Sequence, residues 1–326
     1  MHGQSAIQLS VVIPTYCRPQ LLRNCLQCLV DQSFDKSFYE VIVVSDGYDE
    51  ETRNVVNSFK QRHPGLYYLH LPEKKGPAAA RNLGWQRAWG KLIAFTDDDC
   101  LPDKTWLACL YKTYRGESEI AYAGKVMVSL ASQPTDYANN TSNLEAAEFV
   151  TANCCCTKLA LEKVEGFDER FSMAWREDSD LEFKLLQQNI PVVKVEDAVV
   201  THPVREAHWG VSIKEQKKGI FNALLFKKFP ELYRKKIQSS PPWNYYMITM
   251  AVFCLVVCLF LGLKSLAMVF VIFWIALTAD FIARRLRLRA KNLNHVLETI
   301  VTSAIIPIVS IYWQLYGAIK YRTFFL

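Results

Sequence analysis

Two long apolar runs near the carboxyl end set the strongest limit on how this chain can fold: "YYMITMAVFCLVVCLFLGL" (245–263) and "LAMVFVIFWIALTADFIA" (266–283). At about 1.5 Å of rise per residue, each is long enough as a helix to cross about 30 Å of hydrocarbon. A third run, 296–319, contains Glu298 and Pro307, so it reads as a span, a kinked helix or an interfacial one. Helices buried in a protein core are the alternative for all three. The expectation is a membrane region at 243–326 with two or three transmembrane helices.

The charges flank these runs. Residues 214–236 hold eight Lys/Arg against two Glu, and residues 284–291, "RRLRLRAK", hold five more basic residues and no acid. The two blocks together exceed the net charge of the whole chain, +6, so the rest is acidic. Basic residues flanking a hairpin of spans mark its cytoplasmic side. The opening "MHGQSAIQLS" lacks the basic start and apolar stretch of a signal peptide. Both observations predict a multi-pass protein of the cell inner (cytoplasmic) membrane with its globular part in the cytoplasm. The positive charge then answers to membrane lipids, and nucleic acid is not an expected partner. Ten cysteines fit a reducing compartment, because "CLQC" (25–28) has no second pair and "CCC" (154–156) lacks zinc spacing.

Residues 1–7 read as a tail and 8–210 as the globular domain. The runs 9–16, 39–47, 66–71 and 91–99 are apolar strands, and 19–32, 51–63 and 76–90 are amphipathic helices between them. Strands apolar throughout, alternating with helices, predict an α/β fold with a mostly parallel sheet covered on both faces. Ligands bind beyond the carboxyl ends of such strands. Thr15, Asp46 and the triplet Asp97-Asp98-Asp99 fall at those ends.

The triplet reads either as a solvated turn or helix cap, or as a cation site. No G-x-G-x-x-G follows the first strand and no G-x-x-x-x-G-K-[ST] occurs, so a bound nucleotide would need another means of neutralising its phosphates. A divalent cation on Asp97 and Asp99 would supply it. Alternation along an extended strand end would put those two side chains on one side and turn Asp98 away to support the turn.

Five ordered blocks resemble the inverting family 2 glycosyltransferases, which have the GT-A nucleotide-sugar-binding fold: "SVVIPTYCRPQLLRNCLQCLVDQ", "EVIVVSDGYDEET", "KGPAAARNLGWQRAWG", "IAFTDDDCLPDKTWL", and "TANCCCTKLALEKVEGFDERF" with "WREDSDLEFKLLQQN" behind it. The resemblance covers about residues 8–210. It implies that Pro14, Thr15 and Tyr16 line the nucleoside pocket, that Asp46 bonds the base, and that Arg81 approaches the donor phosphates. It implies that Asp97 and Asp98 belong to the nucleotide-contacting motif, with Asp97 near both ribose and metal, and that Asp99 is the principal ligand of a Mn2+ or Mg2+. His202 would close over the diphosphate or the metal. Asp178 would be the general base with Glu177 beside it, Trp175 would border the sugar, and Asn153 would contact donor sugar or acceptor. The family often has Asp where Ser45 stands and Asn where Cys17 stands, which leaves the base contact to Asp46 and changes the bonding of the first loop.

The chemistry needed is consistent with those roles. A departing diphosphate gains charge that a Lewis acid and Arg81 can stabilise. The anomeric carbon passes through an oxocarbenium-like state. A carboxylate must take the acceptor proton, and Asp178 near a helix start is offered for that, against a plain reading of "EDSDLE" as acids favoured by the helix dipole.

Residues 211–242, basic and apolar by turns, read as an amphipathic juxtamembrane segment lying on an anionic membrane surface, or else as a helix packed on the globular domain. The whole predicts a membrane-anchored enzyme moving a sugar from a nucleotide-sugar to a saccharide or lipid-linked acceptor in cell-envelope or exopolysaccharide assembly, alongside other envelope-biosynthesis proteins. A polyprenyl-phosphate glycosyltransferase is the near alternative, since its acceptor arrives ionised and needs no base. A non-catalytic sugar-nucleotide-binding scaffold is the distant one.

Overall fold

The structure is a computed structural model that describes residues 7–130, 134–287 and 292–325. The expected tail at 1–7, apart from Ile7, and the end of the second basic block at 288–291 lie outside the described residues. The chain divides into two compact units, Met1–Ser129 with Ser142–Val204 and Leu130–Thr141 with Arg205–Leu326. The globular domain read from the sequence as 8–210 thus ends near 204, and a short internal segment, 130–141, is grouped with the C-terminal helices.

In the first unit, β1 (Leu9–Thr15), α1 (Pro19–Val30), β2 (Tyr39–Ser45), α2 (Glu50–Phe59), β3 (Leu66–His70), α3 (Pro77–Arg87) and β4 (Leu92–Phe95) follow the expected alternation. β5 (Leu101–Pro102), α4 (Trp106–Thr113) and β6 (Ala121–Ser129) come next. α5 (Asp136–Ser142) straddles the border of the units, and β7 (Cys154–Thr157), α6 (Lys158–Lys163), α7 (Glu177–Gln187) and β8 (Val192–Pro203) complete the series. The sheet order is β3-β2-β1-β4-β7-β6-β8-β5. The first four strands are parallel, β7 runs antiparallel to both β4 and β6, β6 and β8 are parallel, and β5 is antiparallel to β8.

Every residue of β1, β2 and β4 is buried. Period-two alternation divides them between two cores. Val11, Ile13, Val41, Val43, Leu92 and Ala94 pack with Leu22, Leu26 and Leu29 of α1. Val12, Ile42, Val44, Ile93 and Phe95 pack on the other face with Ala78, Ala79, Ala80 and Trp85 of α3. The "CCC" run is β7, and its thiols alternate between the same cores, Cys155 in the first and Cys154 and Cys156 in the second. All ten cysteines are free, and Cys154, Cys155 and Cys156 act as small apolar residues.

The second unit holds α8 (Val211–Glu215), α9 (Ile220–Lys228), α10 (Pro230–Lys236), α11 (Trp243–Phe260), α12 (Lys264–Leu286) and α13 (Leu293–Tyr321). The last three are long and apolar enough to cross a membrane. Few residues of α11 and α12 are buried, whereas α13 is the most enclosed of the three. Pro307 sits inside α13 without ending it. The juxtamembrane segment differs from the single surface helix expected. It is broken near Gly219 and at Pro230, and Ile220, Phe221, Leu224 and Leu225 are buried. α9 packs on α13, which buries those side chains against protein. The approach is close: a Cβ on Gly317 would stand 2.8 Å from the carbonyl oxygen of Ile220.

Candidate active site

β4 stops at Phe95, and residues 97–100 close a turn in which the Cys100 N–H donates to the Asp97 carbonyl at 3.1 Å. Asp97 and Asp99 therefore share a side because of a turn, not because of strand alternation. Directly after it, β5 pairs with the end of β8, Leu101 opposite Thr201. That pairing carries His202 to the turn, with Nε2 3.7 Å from Asp99 Oδ1. One ligand atom from each of Asp97, Asp99, Cys100 and His202 lies within 4.8 Å of the others.

The donor set fits a divalent cation. The other ring nitrogen of His202, Nδ1, is 3.1 Å from the Pro203 carbonyl oxygen. As a donor there it fixes the tautomer and leaves the Nε2 lone pair facing Asp99. Two carboxylates and an imidazole suit Mn2+ well, and the carboxylates suit Mg2+. Burial pushes the Cys100 thiol up well above its usual range; as a soft donor it is in any case a poor partner for a hard ion.

Asp98 does turn away. Its carboxylate, buried and pushed by burial up to about 6, accepts from Thr15 Oγ1 at 2.7 Å and from Arg18 Nη1 at 3.3 Å. This ties the loop after β1 to the turn after β4. Sequence reading singled out Thr15 but missed Arg18, an exposed cation in a loop with no local pattern to mark it. Pro14 is buried beneath that loop, and Tyr16 is exposed with Lys74 Nζ 3.5 Å above its ring. Cys17 has φ 50°, in the left-handed region that Asn tolerates best, which accounts for the Asn often seen there in the family that the sequence resembles. Asp46 accepts from the backbone N–H groups of Lys75 at 2.6 Å and Gly76 at 2.9 Å. It therefore anchors the 73–76 loop, and its remaining lone pairs can still serve a base.

Three residues differ from the roles expected. Arg81, expected at the donor phosphates, is 2% exposed and forked between Asp97 Oδ1 at 2.7 Å and Glu177 Oε1 at 3.2 Å. It joins Asp97 to Glu177 at the start of α7. Glu177, expected beside sugar or acceptor, is buried against that guanidinium. Burial and the neighbouring Asp178 push it up to about 7 against the pull of Arg81. Asn153, expected at donor sugar or acceptor, is fully buried. Its amide bonds Trp106 Nε1 and the carbonyls of Lys125 and Ala198, pinning β6, β7 and β8 together.

Asp178 is half-buried on the first turn of α7, held through Oδ1 by the Ser179 N–H. Arg176, the residue capping that helix, has φ 74°, a strained value for a side chain of its size. Its guanidinium lies 4.6 Å from the exposed Trp175 ring. The segment before α7 reaches α3 as well: a Cβ on Gly76, where φ is 100°, would collide with the Ser172 backbone.

Residues 10–171 match the family described as Glycosyl transferase family 2. The chain is 35% identical over 120 residues, 37% of its length, to glycosyltransferase AglE of Haloferax volcanii. It is 25% identical over 272 residues, 70% of its length, to the chondroitin synthase of Escherichia coli. The matches span 38% and 39% of those proteins. Among solved structures, the mannosyltransferase PcManGT of Pyrobaculum calidifontis, in complex with GDP-Man and Mn2+, superposes with a TM-score of 0.55 at 17% identity, covering 98% of this chain and 88% of that one. That likeness bears on the fold, which is the GT-A fold expected. The chain carries a glycosyl transferase family 2 domain.

Proposed function

We propose that this protein is a membrane-anchored, metal-dependent inverting glycosyltransferase. It moves a sugar from a nucleotide-sugar to a saccharide or lipid-linked acceptor in cell-envelope or exopolysaccharide assembly. The observation that carries the reading is the convergence of Asp97, Asp99 and His202 beside an Arg81 fork that leads directly to the start of α7. A Mn2+ or Mg2+ on those three side chains would supply Lewis-acid stabilisation of the departing diphosphate.

The protein's own residues have distinct tasks. Arg81 holds Asp97 Oδ1 and so fixes the orientation of that carboxylate beside Asp99. Asp46 positions the loop that borders the nucleoside, and the exposed Tyr16 ring, with Lys74 over it, lies beside that loop. Trp175 offers an exposed apolar surface to the sugar. Asp178, partly solvated, accepts the proton of the acceptor hydroxyl as that oxygen attacks the anomeric carbon opposite the leaving group. α11, α12 and α13 anchor the enzyme in the cytoplasmic membrane, with the sugar-nucleotide domain on the cytoplasmic side and the acceptor drawn from the bilayer or its surface.

The test is donor turnover by the full chain in detergent, with Mn2+ and a panel of sugar nucleotides and lipid or saccharide acceptors. Asp178→Asn should lower kcat by at least about 100-fold, the usual share of a general base, and leave nucleotide-sugar affinity nearly unchanged. Near-normal turnover by Asp178→Asn would remove the base and favour an acceptor phosphate that arrives ionised.

A further inference from the structure

The cation cluster contains one donor that a hard metal leaves unused. Cys100 Sγ lies 4.0 Å from Asp99 Oδ1, the same oxygen that His202 Nε2 approaches to 3.7 Å. A tetrahedral shell with bonds of about 2.0–2.3 Å spaces its donors about 3.3–3.8 Å apart. Closing the cluster to that size takes small side-chain movements, because the four donor atoms already lie within 4.8 Å. His202 is an independent sign of a prepared site. It is 7% exposed, its Nδ1 faces the Pro203 carbonyl oxygen, and its Nε2 points at the cluster beyond hydrogen-bond distance of Asp99.

The two classes of cation use these atoms differently. Mn2+ and Mg2+ take oxygen and imidazole, prefer six ligands and keep positions open for phosphate oxygens. A thiophilic d10 ion such as Zn2+ binds thiolate strongly and is content with four ligands. Four protein ligands leave it no position for a diphosphate.

We propose that Cys100 gives this site a second, closed mode, in which Zn2+ is held by Asp97, Asp99, Cys100 and His202 and the donor diphosphate is shut out. The inference rests on the cation-site reading of the same cluster. As the sulfur–zinc bond forms, the thiol proton passes to solvent and no electron is transferred. Zinc is then an inhibitor that competes with Mn2+ and acts through a residue outside the hard-metal shell.

The experiment uses the full chain in detergent, with Co2+ as the spectroscopic stand-in for Zn2+ and electron paramagnetic resonance of Mn2+ as a separate readout. Wild-type protein should show a sulfur-to-cobalt charge-transfer band that Zn2+ abolishes. Cys100→Ser and Cys100→Ala should lack the band and still bind Mn2+. Zn2+ should displace Mn2+ from the variants at concentrations at least about tenfold higher than from wild type, the least expected when any member of a metal shell is lost. Mn2+ binding without a sulfur band in wild type, or an equal band in the variants, overturns the closed mode alone. Failure of wild type to bind either ion overturns the cation site itself. Loss of Mn2+ by both variants would make Cys100 part of the hard-metal mode and would equally overturn the assignment.

Discussion

Arg81 and Glu177 show how a buried charge is used at this site. The guanidinium is enclosed, so it requires its carboxylates, and two of them meet it through different nitrogens, Asp97 at Nη2 and Glu177 at Nη1. Glu177 is the weaker partner, at 3.2 Å, and Asp178 beside it adds like charge. Its carboxyl rises from the usual 4.5 to about 7, with burial as the largest cause. The folded protein therefore holds a proton that the unfolded chain gives up, and stability falls as pH rises between those values. Glu177→Gln copies the protonated form and can still accept from Arg81. We expect its melting temperature, relative to wild type, to climb between pH 5 and pH 8, with a free-energy difference of at most about 3 kcal/mol. A difference that stays flat or reverses across that range would show that Glu177 is ionised throughout.

At the scale of elements, the 73–76 loop draws together three parts of the first unit. Asp46 at the end of β2 accepts from its N–H groups, α3 starts from Gly76, and Ser172 of the segment before α7 packs against that glycine. Gly76→Ala should cost about 1–3 kcal/mol for the backbone conformation, with a further loss from the collision at Ser172. Gly116 is the control, because it also has a positive φ, 93°, but nothing near its Cβ position. Gly76→Ala should lower the melting temperature more than Gly116→Ala, and only Gly76→Ala should weaken nucleotide-sugar binding by calorimetry. Equal effects on both would remove the packing argument.

These elements differ in how far the sequence revealed them. β1, β2, β3, α1, α2 and α3 were readable because runs apolar on both faces and helices apolar on one leave distinct periods. The antiparallel half was not, since β5 has two residues, β7 is a cysteine run, and a strand's partner is decided by register across the sheet. The cluster proposed to hold a cation, Asp97, Asp99 and His202, could be noticed in the sequence only as a set. Cys100, which closes the turn through its N–H, and Arg18, which holds Asp98, carry no local mark. Arg81 and Asn153 were noticed for the wrong contacts, because residue type does not say whether a polar side chain faces a ligand or another strand. The basic and apolar pattern of 211–237 was equally uninformative about its partner, for an apolar face is buried as well by α13 as by lipid.

At the scale of the whole molecule, the grouping of residues 130–141 with the C-terminal helices depends on chemistry that the sequence hides. Arg285 belongs to a basic run that read as a cytoplasmic flank, yet in the structure it is 9% exposed. Its guanidinium donates to Thr302 Oγ1 and Ser303 Oγ, each at 2.8 Å, and pairs with Asp136 Oδ2 at 2.9 Å. Asp136 lies between β6 and β7 in sequence, and one enclosed ion pair joins residues 130–141 to α12 within the second unit. Removing one member of such a pair typically costs about 3–5 kcal/mol, because the other is left buried and uncompensated. Arg285→Ala should reach that range. Asp136→Ala should cost less, since Thr302 and Ser303 still receive the guanidinium. The double variant should be more stable than the two losses predict by at least about 1 kcal/mol, as expected for residues in direct contact. Thermal unfolding of the full chain and the three variants in one detergent measures the cycle. Strict additivity would mean that this segment is held to the helices by something other than this pair.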